Sequence, residues 1–248
     1  MIRNRIRIQL RSGRLITALL SAGLFLLTSL TLKAADNSAE MTRIKESGDV
    51  LKELLNGPNG IPMGLLSKAE CVVVLPSVKK AGFIVGGQYG RGLMTRRSGE
   101  NFDGKWSAPI MMQSSGGSFG LQAGGEATDF VVPVMNDKGA RAVMHGKAKL
   151  GGDASIAAGP VGRDAEASTN AAMNAEMLSY SRAHGVFAGV SLSGTSLGPD
   201  SGANERIYGK KVSGQDIFSG GVQSPAAAAD LLSVLQEKSP SNSSRGKS

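Results

Sequence analysis

The chain has 248 residues, of which 34 are glycine and one is cysteine. Its formal charge of +8 resides mostly in the first 34 residues, which hold six of the 28 basic residues and none of the 20 acidic ones. The rest of the chain carries 22 basic and 20 acidic side chains, a net charge of +2, and this balance gives no support to nucleic-acid binding. A single cysteine also excludes a disulfide within the chain.

Residues 1–34 have the pattern of a signal sequence. Residues 15–32 form an apolar run that is followed by small residues. The basic residues before this run are Arg3, Arg5, Arg7, Arg11 and Arg14. This order predicts export to the periplasm or cell envelope, with cleavage after Ala34. An uncleaved membrane anchor is the alternative, because a run of about 18 residues just suffices to span a bilayer. No cysteine follows the run, so the lipid-modified N-terminus of a bacterial lipoprotein is not available.

Residues 41–55 are predicted to form an amphipathic helix. Ile44, Leu51 and Leu55 recur at helical spacing, and charged residues occupy the other side. Such a helix either lies in a lipid interface or covers an open face of a sheet. The acidic residues on its polar side favour the second role.

Strands are predicted from Glu70 to about Val212. Residues 71–75 form an apolar run that is typical of a buried strand. Residues 86–94 alternate glycine with larger side chains, and each glycine would cost a helix about 1 kcal/mol. We therefore predict strongly bent or closely packed strands there. A turn at 136–139 and a short helix over 141–148 interrupt the strands.

The C-terminal region is predicted to be helical and then disordered. Ser224 as cap and Pro225 at the first helical position predict a helix over 225–238. The polar residues 239–248 predict a disordered tail. The predicted fold class is α+β, in which a strongly bent, mainly antiparallel, glycine-rich β-sheet or open barrel is covered by N-terminal and C-terminal helices. Residues 35–238 would form one domain.

The sequence offers no recognisable catalytic or metal-binding pattern. His145 and His184 are the only imidazoles, and neither has a recognisable nucleophile–base setting. One cysteine and two distant histidines cannot supply a closed zinc site. The glycine clusters do not match a dinucleotide-binding fingerprint. We therefore expect a protein without catalytic activity, cofactor or metal, and a histidine-based hydrolase is a remote alternative.

Surface charge is the remaining functional signal. Two nearby segments at predicted strand ends are basic, and the predicted helix adds two lysines. Together these residues are Lys79, Lys80, Arg91, Arg96, Arg97, Lys45 and Lys52. Anionic head groups attract such side chains by about 1 kcal/mol each near a charged membrane. We predict that these seven residues contact lipid, and the alternative is a solvated charged rim.

Three blocks of sequence occur in an order that resembles a known family. The first runs from Trp106-Ser107-Ala108-Pro109 to Thr128-Asp129, and the second covers residues 151–163. The third begins with Tyr180-Ser181-Arg182 and reaches Asn204 and Tyr208-Gly209. These blocks resemble the SYLF-domain family of lipid-binding and yeast-type actin-binding domains, over about residues 45–212. Ser193 departs from the pattern, since many relatives are expected to carry an acidic residue there.

The resemblance implies phospholipid binding assisted by an N-terminal amphipathic helix. It also implies phosphoinositide ligands in eukaryotic relatives and actin binding in some fungal ones, and it implies no catalytic residue. Bacterial members are typically exported, which agrees with the pattern of residues 1–34. The expected partner is therefore an anionic phospholipid or membrane surface. A protein-interaction or structural module of the envelope, without a lipid ligand, is the second hypothesis.

Overall fold

The computed structural model describes residues 37–58, 60–82, 85–99, 101–119, 126–146, 148–152, 155–162, 174–183, 186–189, 192 and 194–244. The predicted signal sequence at 1–34 and His184 lie outside these residues. The described residues from Glu40 onward belong to one compact unit.

The described residues of this unit form a mixed α and β structure. Its helices are α1 (37–56, of which Glu40 and the following residues belong to this unit), α2 (Met63–Leu66), α3 (Asp137–Met144), α4 (Ser201–Tyr208), α5 (Gly214–Phe218) and α6 (Ala229–Lys238). Its strands are β1 (Cys71–Gly82), β2 (Val85–Arg96), β3 (Ile110–Phe119), β4 (Glu126–Val134), β5 (Ala148–Lys149), β6 (Ile156–Ala158), β7 (Met177–Ala183), β8 (Val186–Gly189) and β9 (Thr195–Pro199).

All the described strands join one sheet. Its order is β5-β9-β3-β2-β1-β4-β7-β6, and β8 pairs with β7. Only the pairing of β6 with β7 is parallel among these strands. The sheet is strongly curled and remains open, as in half a barrel. The predicted α+β class with a bent, mainly antiparallel sheet and helices at both ends of the domain is confirmed.

Both faces of the sheet are buried, which explains the apolar run at the start of β1. Val72 and Val74 face a core that also contains buried side chains of α1 and α6. Cys71 and Val73 face a second core, which contains side chains of α3 and α5. The interpretation of Cys71 as a buried apolar residue is confirmed, and burial raises the pKa of its thiol far above the ordinary value.

A bulge in β1 accounts for part of the glycine content. The register of β1 against β4 shifts between Leu75 and Val78. Opposite this bulge, a Cβ at Gly92 of β2 would overlap the carbonyl oxygen of Val74. A Cβ at Gly117 of β3, in contrast, would meet no atom within 4 Å. Close packing of main chains therefore requires glycine at position 92 and does not require it at position 117.

Two predicted helix starts differ from the structure. Helix α3 begins at Asp137 and not at 141, because the Asn136 side chain caps it by accepting a hydrogen bond from the Gly139 N–H at 3.0 Å. The C-terminal helix is present and opens with a 3-10 turn over Ala226–Ala228. Ser224 does not cap it, since its hydroxyl has no hydrogen-bond partner.

Candidate functional site

The structure does not bring the predicted basic residues together on one rim. Arg96 pairs with Cys71 at the start of β1, whereas Lys79 pairs with Tyr89 eight residues further along that strand. Eight residues of a β-strand span roughly 26 Å. Lys79 and Lys80 also point to opposite faces, and the Lys80 ammonium lies 5.3 Å from the centre of the Phe130 ring in the second core.

Lys79, Tyr89 and Arg91 form one exposed surface, which we call the Tyr89 patch. Lys79 and Tyr89 are direct cross-strand partners, and Arg91 follows Tyr89 by two residues, so all three project from the same face. Tyr89 is 44 % exposed. The Arg91 guanidinium lies 5.6 Å from the centre of the Tyr89 ring and donates a hydrogen bond from Nε to the phenolic oxygen.

The charge of the Tyr89 patch comes mainly from Lys79. The Arg91 Nε lies 3.5 Å from the Asp200 carboxylate, which partly neutralises the guanidinium. Among the described residues, no carboxylate forms an ion pair with Lys79, and its side chain is exposed. The patch therefore combines one ammonium group that forms no ion pair within the described residues, one partly neutralised guanidinium and an accessible aromatic ring.

Arg97 is buried, and this corrects the prediction that it contacts lipid. Its Nε donates to the Ala69 carbonyl at 3.2 Å, and its Nη2 donates to the Ser239 carbonyl at 2.8 Å and to the Ser241 carbonyl at 3.0 Å. The guanidinium lies 4.3 Å from the centre of the Trp106 ring. Burial lowers the pKa of Arg97 to about 10, so the side chain remains charged at neutral pH.

The same contacts order the beginning of the tail that the sequence predicts to be disordered. Ser239 is fully buried and its carbonyl also accepts a hydrogen bond from the Trp106 indole at 3.1 Å. Further along, the Ser243 N–H donates to the Ser67 carbonyl at 2.9 Å. Arg97 and Trp106 thus fasten residues 239–241 to the body of the domain.

Helix α1 covers the sheet and does not offer an apolar side to a membrane. Ile44, Leu51 and Leu54 are fully buried in the first core. Lys45 and Lys52 are exposed, and acidic residues lie between them on the same helix. The expected apolar contact of this helix with lipid is therefore replaced by packing within the protein, and the lipid contacts of Lys45 and Lys52 stay predictions.

Several residues of the family-like blocks have structural roles. The Asn204 side chain accepts a hydrogen bond from the Met111 N–H at 2.8 Å and donates to the Met111 carbonyl at 3.0 Å, which fixes α4 to β3. The Tyr208 hydroxyl donates to the Pro109 carbonyl at 2.6 Å. The Trp106 indole donates to the Ser239 carbonyl and so holds the start of the tail. These residues explain the fold and do not mark a reactive site.

Sequence reasoning missed Tyr89. It lies in the glycine-rich run of β2, and the only signal available was an aromatic residue two positions before a basic one.

His145 is exposed at the end of α3. Within the described ranges, no group of three metal-ligating side chains occurs. Over the same part of the chain, no helix has both the length and the apolar character needed to cross a bilayer.

The described residues thus form a β-rich domain in which both faces of the curled sheet are covered. Its exposed surface includes the charged and aromatic Tyr89 patch. The chain belongs to the Ysc84 family, described as "Las17-binding protein actin regulator", whose model matches residues 115–238. This finding confirms the family resemblance.

Similar proteins occur in fungi and mammals. The SH3 domain-containing protein PJ696.02 of Schizosaccharomyces pombe is 39% identical over 81% of this chain and 48% of its own length. Protein YSC84 of Saccharomyces cerevisiae is 36% identical over 72% of this chain and 38% of its own length. The human SH3 domain-containing YSC84-like protein 1 is 34% identical over 77% of this chain and 57% of its own length. The chain thus spans about half the length of these relatives, and no solved structure matches it.

Proposed function

We propose that the protein is an exported module that binds membrane surfaces rich in anionic phospholipid through the Tyr89 patch. The observation that carries this proposal is an exposed aromatic ring between two cations on one face of the β1–β2 hairpin. Tyrosine suits the boundary between head groups and water, because its ring is apolar and its hydroxyl is polar. A nearby lysine or arginine adds about 1 kcal/mol of attraction to an anionic surface.

Export is the first part of this proposal, and the order of basic and apolar segments in residues 1–34 supports it. We expect mass spectrometry of the protein recovered from a bacterial envelope fraction to give Ala35 as the first residue. A membrane-bound protein that retains residues 15–32 would contradict cleavage after Ala34. A cytoplasmic protein with residues 1–34 intact would contradict export itself.

Binding to vesicles tests the second part. We expect the exported form to co-sediment with vesicles that contain phosphatidylglycerol and not with vesicles of phosphatidylcholine alone. High salt should weaken this binding, because it screens the attraction between exposed cations and the anionic surface. Equal binding to both vesicle types, or binding to neither, would contradict the proposal.

Variants locate the binding surface. We expect Tyr89→Ala and Lys79→Ala each to lower vesicle affinity about fivefold, as the loss of roughly 1 kcal/mol predicts. Met63→Ala is a matched control for the ring, since Met63 is 41 % exposed on another element, and Lys210→Ala is a matched control for charge. Patch variants that bind like the wild type would contradict this location. Consistent recovery of one crosslinked envelope protein without any vesicle binding would favour the protein-interaction hypothesis.

A further inference from the structure

A second surface feature lies near the other end of the β1–β2 hairpin from the Tyr89 patch. It is a cleft of about 680 Å³, which is within the size range of small-molecule sites. The cleft lies between the loop that follows β2 and the segment around α5. Its lining includes Arg96, Ser98, Trp106, Gln215, Phe218 and Ser224. We call it the Arg96 cleft.

The Arg96 guanidinium is stacked but poorly hydrogen-bonded. It lies 4.3 Å from the centre of the Phe102 ring and 5.1 Å from that of Phe218. Its Nε is enclosed and has no hydrogen-bond partner, and its Nη2 makes only a long contact of 3.4 Å with the Gly99 carbonyl. In the described part of the chain, no carboxylate forms an ion pair with Arg96. Stacking leaves the in-plane N–H groups of a guanidinium free to bind an oxyanion.

Phe102, whose ring contacts the Arg96 guanidinium, has a strained backbone conformation. Phe102 has a φ of 56°, in the left-handed region that a bulky side chain rarely adopts, and it is 2 % exposed. A residue held in this region costs roughly 1–3 kcal/mol, and such strain concentrates at binding sites. Here the strained conformation accompanies the contact between the Phe102 ring and the Arg96 guanidinium.

A second unsatisfied donor lines the same cleft. The Ser224 hydroxyl is buried without a hydrogen-bond partner, although a buried polar group normally has one. The Arg96 cleft therefore joins a cation that has no acidic partner among the described residues to apolar surface from Ile217 and Phe218. These are the complementary groups of a ligand that is anionic at one end and apolar at the other.

We propose that the Arg96 cleft binds a small molecule that carries an oxyanion, either carboxylate or phosphate, on an apolar body. The oxyanion accepts hydrogen bonds from the Nη groups of Arg96, whereas the Arg96 Nε and the Ser224 hydroxyl are enclosed. The apolar body lies against Ile217 and Phe218. This site is independent of the Tyr89 patch and goes beyond the proposed membrane binding.

Soluble probes test this proposal without a membrane. Benzoate and phenyl phosphate represent the two oxyanions, and benzyl alcohol represents the apolar body without charge. We expect both anions to give saturable NMR shifts at the amides of Ser98, Gln215 and Ser224, and benzyl alcohol to bind at least about tenfold more weakly, since it lacks the charge-assisted hydrogen bonds. Shifts that do not saturate, or that spread over the whole surface, would overturn the proposal.

Variants identify the contacts. Arg96→Gln should weaken the affinity for both anions by about tenfold or more, whereas Arg141→Gln, which changes an exposed arginine, should not. Gln215→Trp should block the cleft without touching Arg96, and it carries the test if Arg96→Gln fails to fold. Unchanged anion affinity in Gln215→Trp or in folded Arg96→Gln would overturn the proposal. Vesicle binding through Lys79 and Tyr89 should persist in both variants, so that failure of one proposal is distinguishable from failure of the other.

Discussion

Gly92→Ala is expected to destabilise the protein by about 3 kcal/mol or more, a large effect for one methyl group. The added Cβ would overlap the Val74 carbonyl oxygen and would lie 2.8 Å from the Leu75 Cα. Both are backbone atoms at the bulge of β1, so no side-chain rotation relieves the overlap. Urea unfolding followed by circular dichroism measures the change in free energy of unfolding.

Gly117→Ala is the matched control for Gly92→Ala. Gly117 also lies in a central strand, but a Cβ there meets no atom within 4 Å. We expect its free energy of unfolding to stay within about 0.5 kcal/mol of the wild type. Equal effects of the two substitutions would contradict the conclusion that close main-chain contact requires glycine at position 92.

Arg97→Ala is expected to destabilise the protein by about 3 kcal/mol or more, because it leaves several buried carbonyl oxygens without a donor at about 1–3 kcal/mol each. The substitution leaves the Ala69, Ser239 and Ser241 carbonyls without their guanidinium donor. It also removes the stacking on Trp106. We therefore expect a lower urea midpoint together with faster hydrogen exchange in residues 239–244.

Arg141→Ala provides the comparison for Arg97→Ala. Arg141 pairs with Asp137 one helical turn away, and its side chain is 71% exposed. Such surface pairs contribute about 0–1 kcal/mol, so the unfolding curve should barely move. An Arg97→Ala protein that unfolds like Arg141→Ala would show that residues 239–241 are not held by the buried guanidinium.

Local sequence patterns predicted the framework of this fold well. Unbroken apolar character at 71–75 correctly indicated a buried strand, because both faces of β1 lie against cores. Helical spacing correctly indicated α1, although the pattern alone did not decide between covering a sheet and lying on lipid. The structure resolves this choice, since the apolar side of α1 is already buried.

Local sequence patterns could not predict contacts between distant parts of the chain. Arg96 and Arg97 look equivalent in sequence. Arg97, however, is buried and donates a hydrogen bond to the Ser239 carbonyl, 142 residues further along the chain. Gly92 and Gly117 also look equivalent, and only the bulge of a neighbouring strand distinguishes them. The Arg96 cleft forms in the same way, from a loop and a helix separated by more than a hundred residues.

NMR of the exported form with lipid nanodiscs containing phosphatidylglycerol tests the central claim most directly. The proposed function predicts that signal broadening begins at Lys79, Tyr89 and Arg91, before it reaches the outward side of α1. Broadening that begins at Lys45 and Lys52, or a spectrum that does not change when the anionic nanodiscs are added, would contradict it.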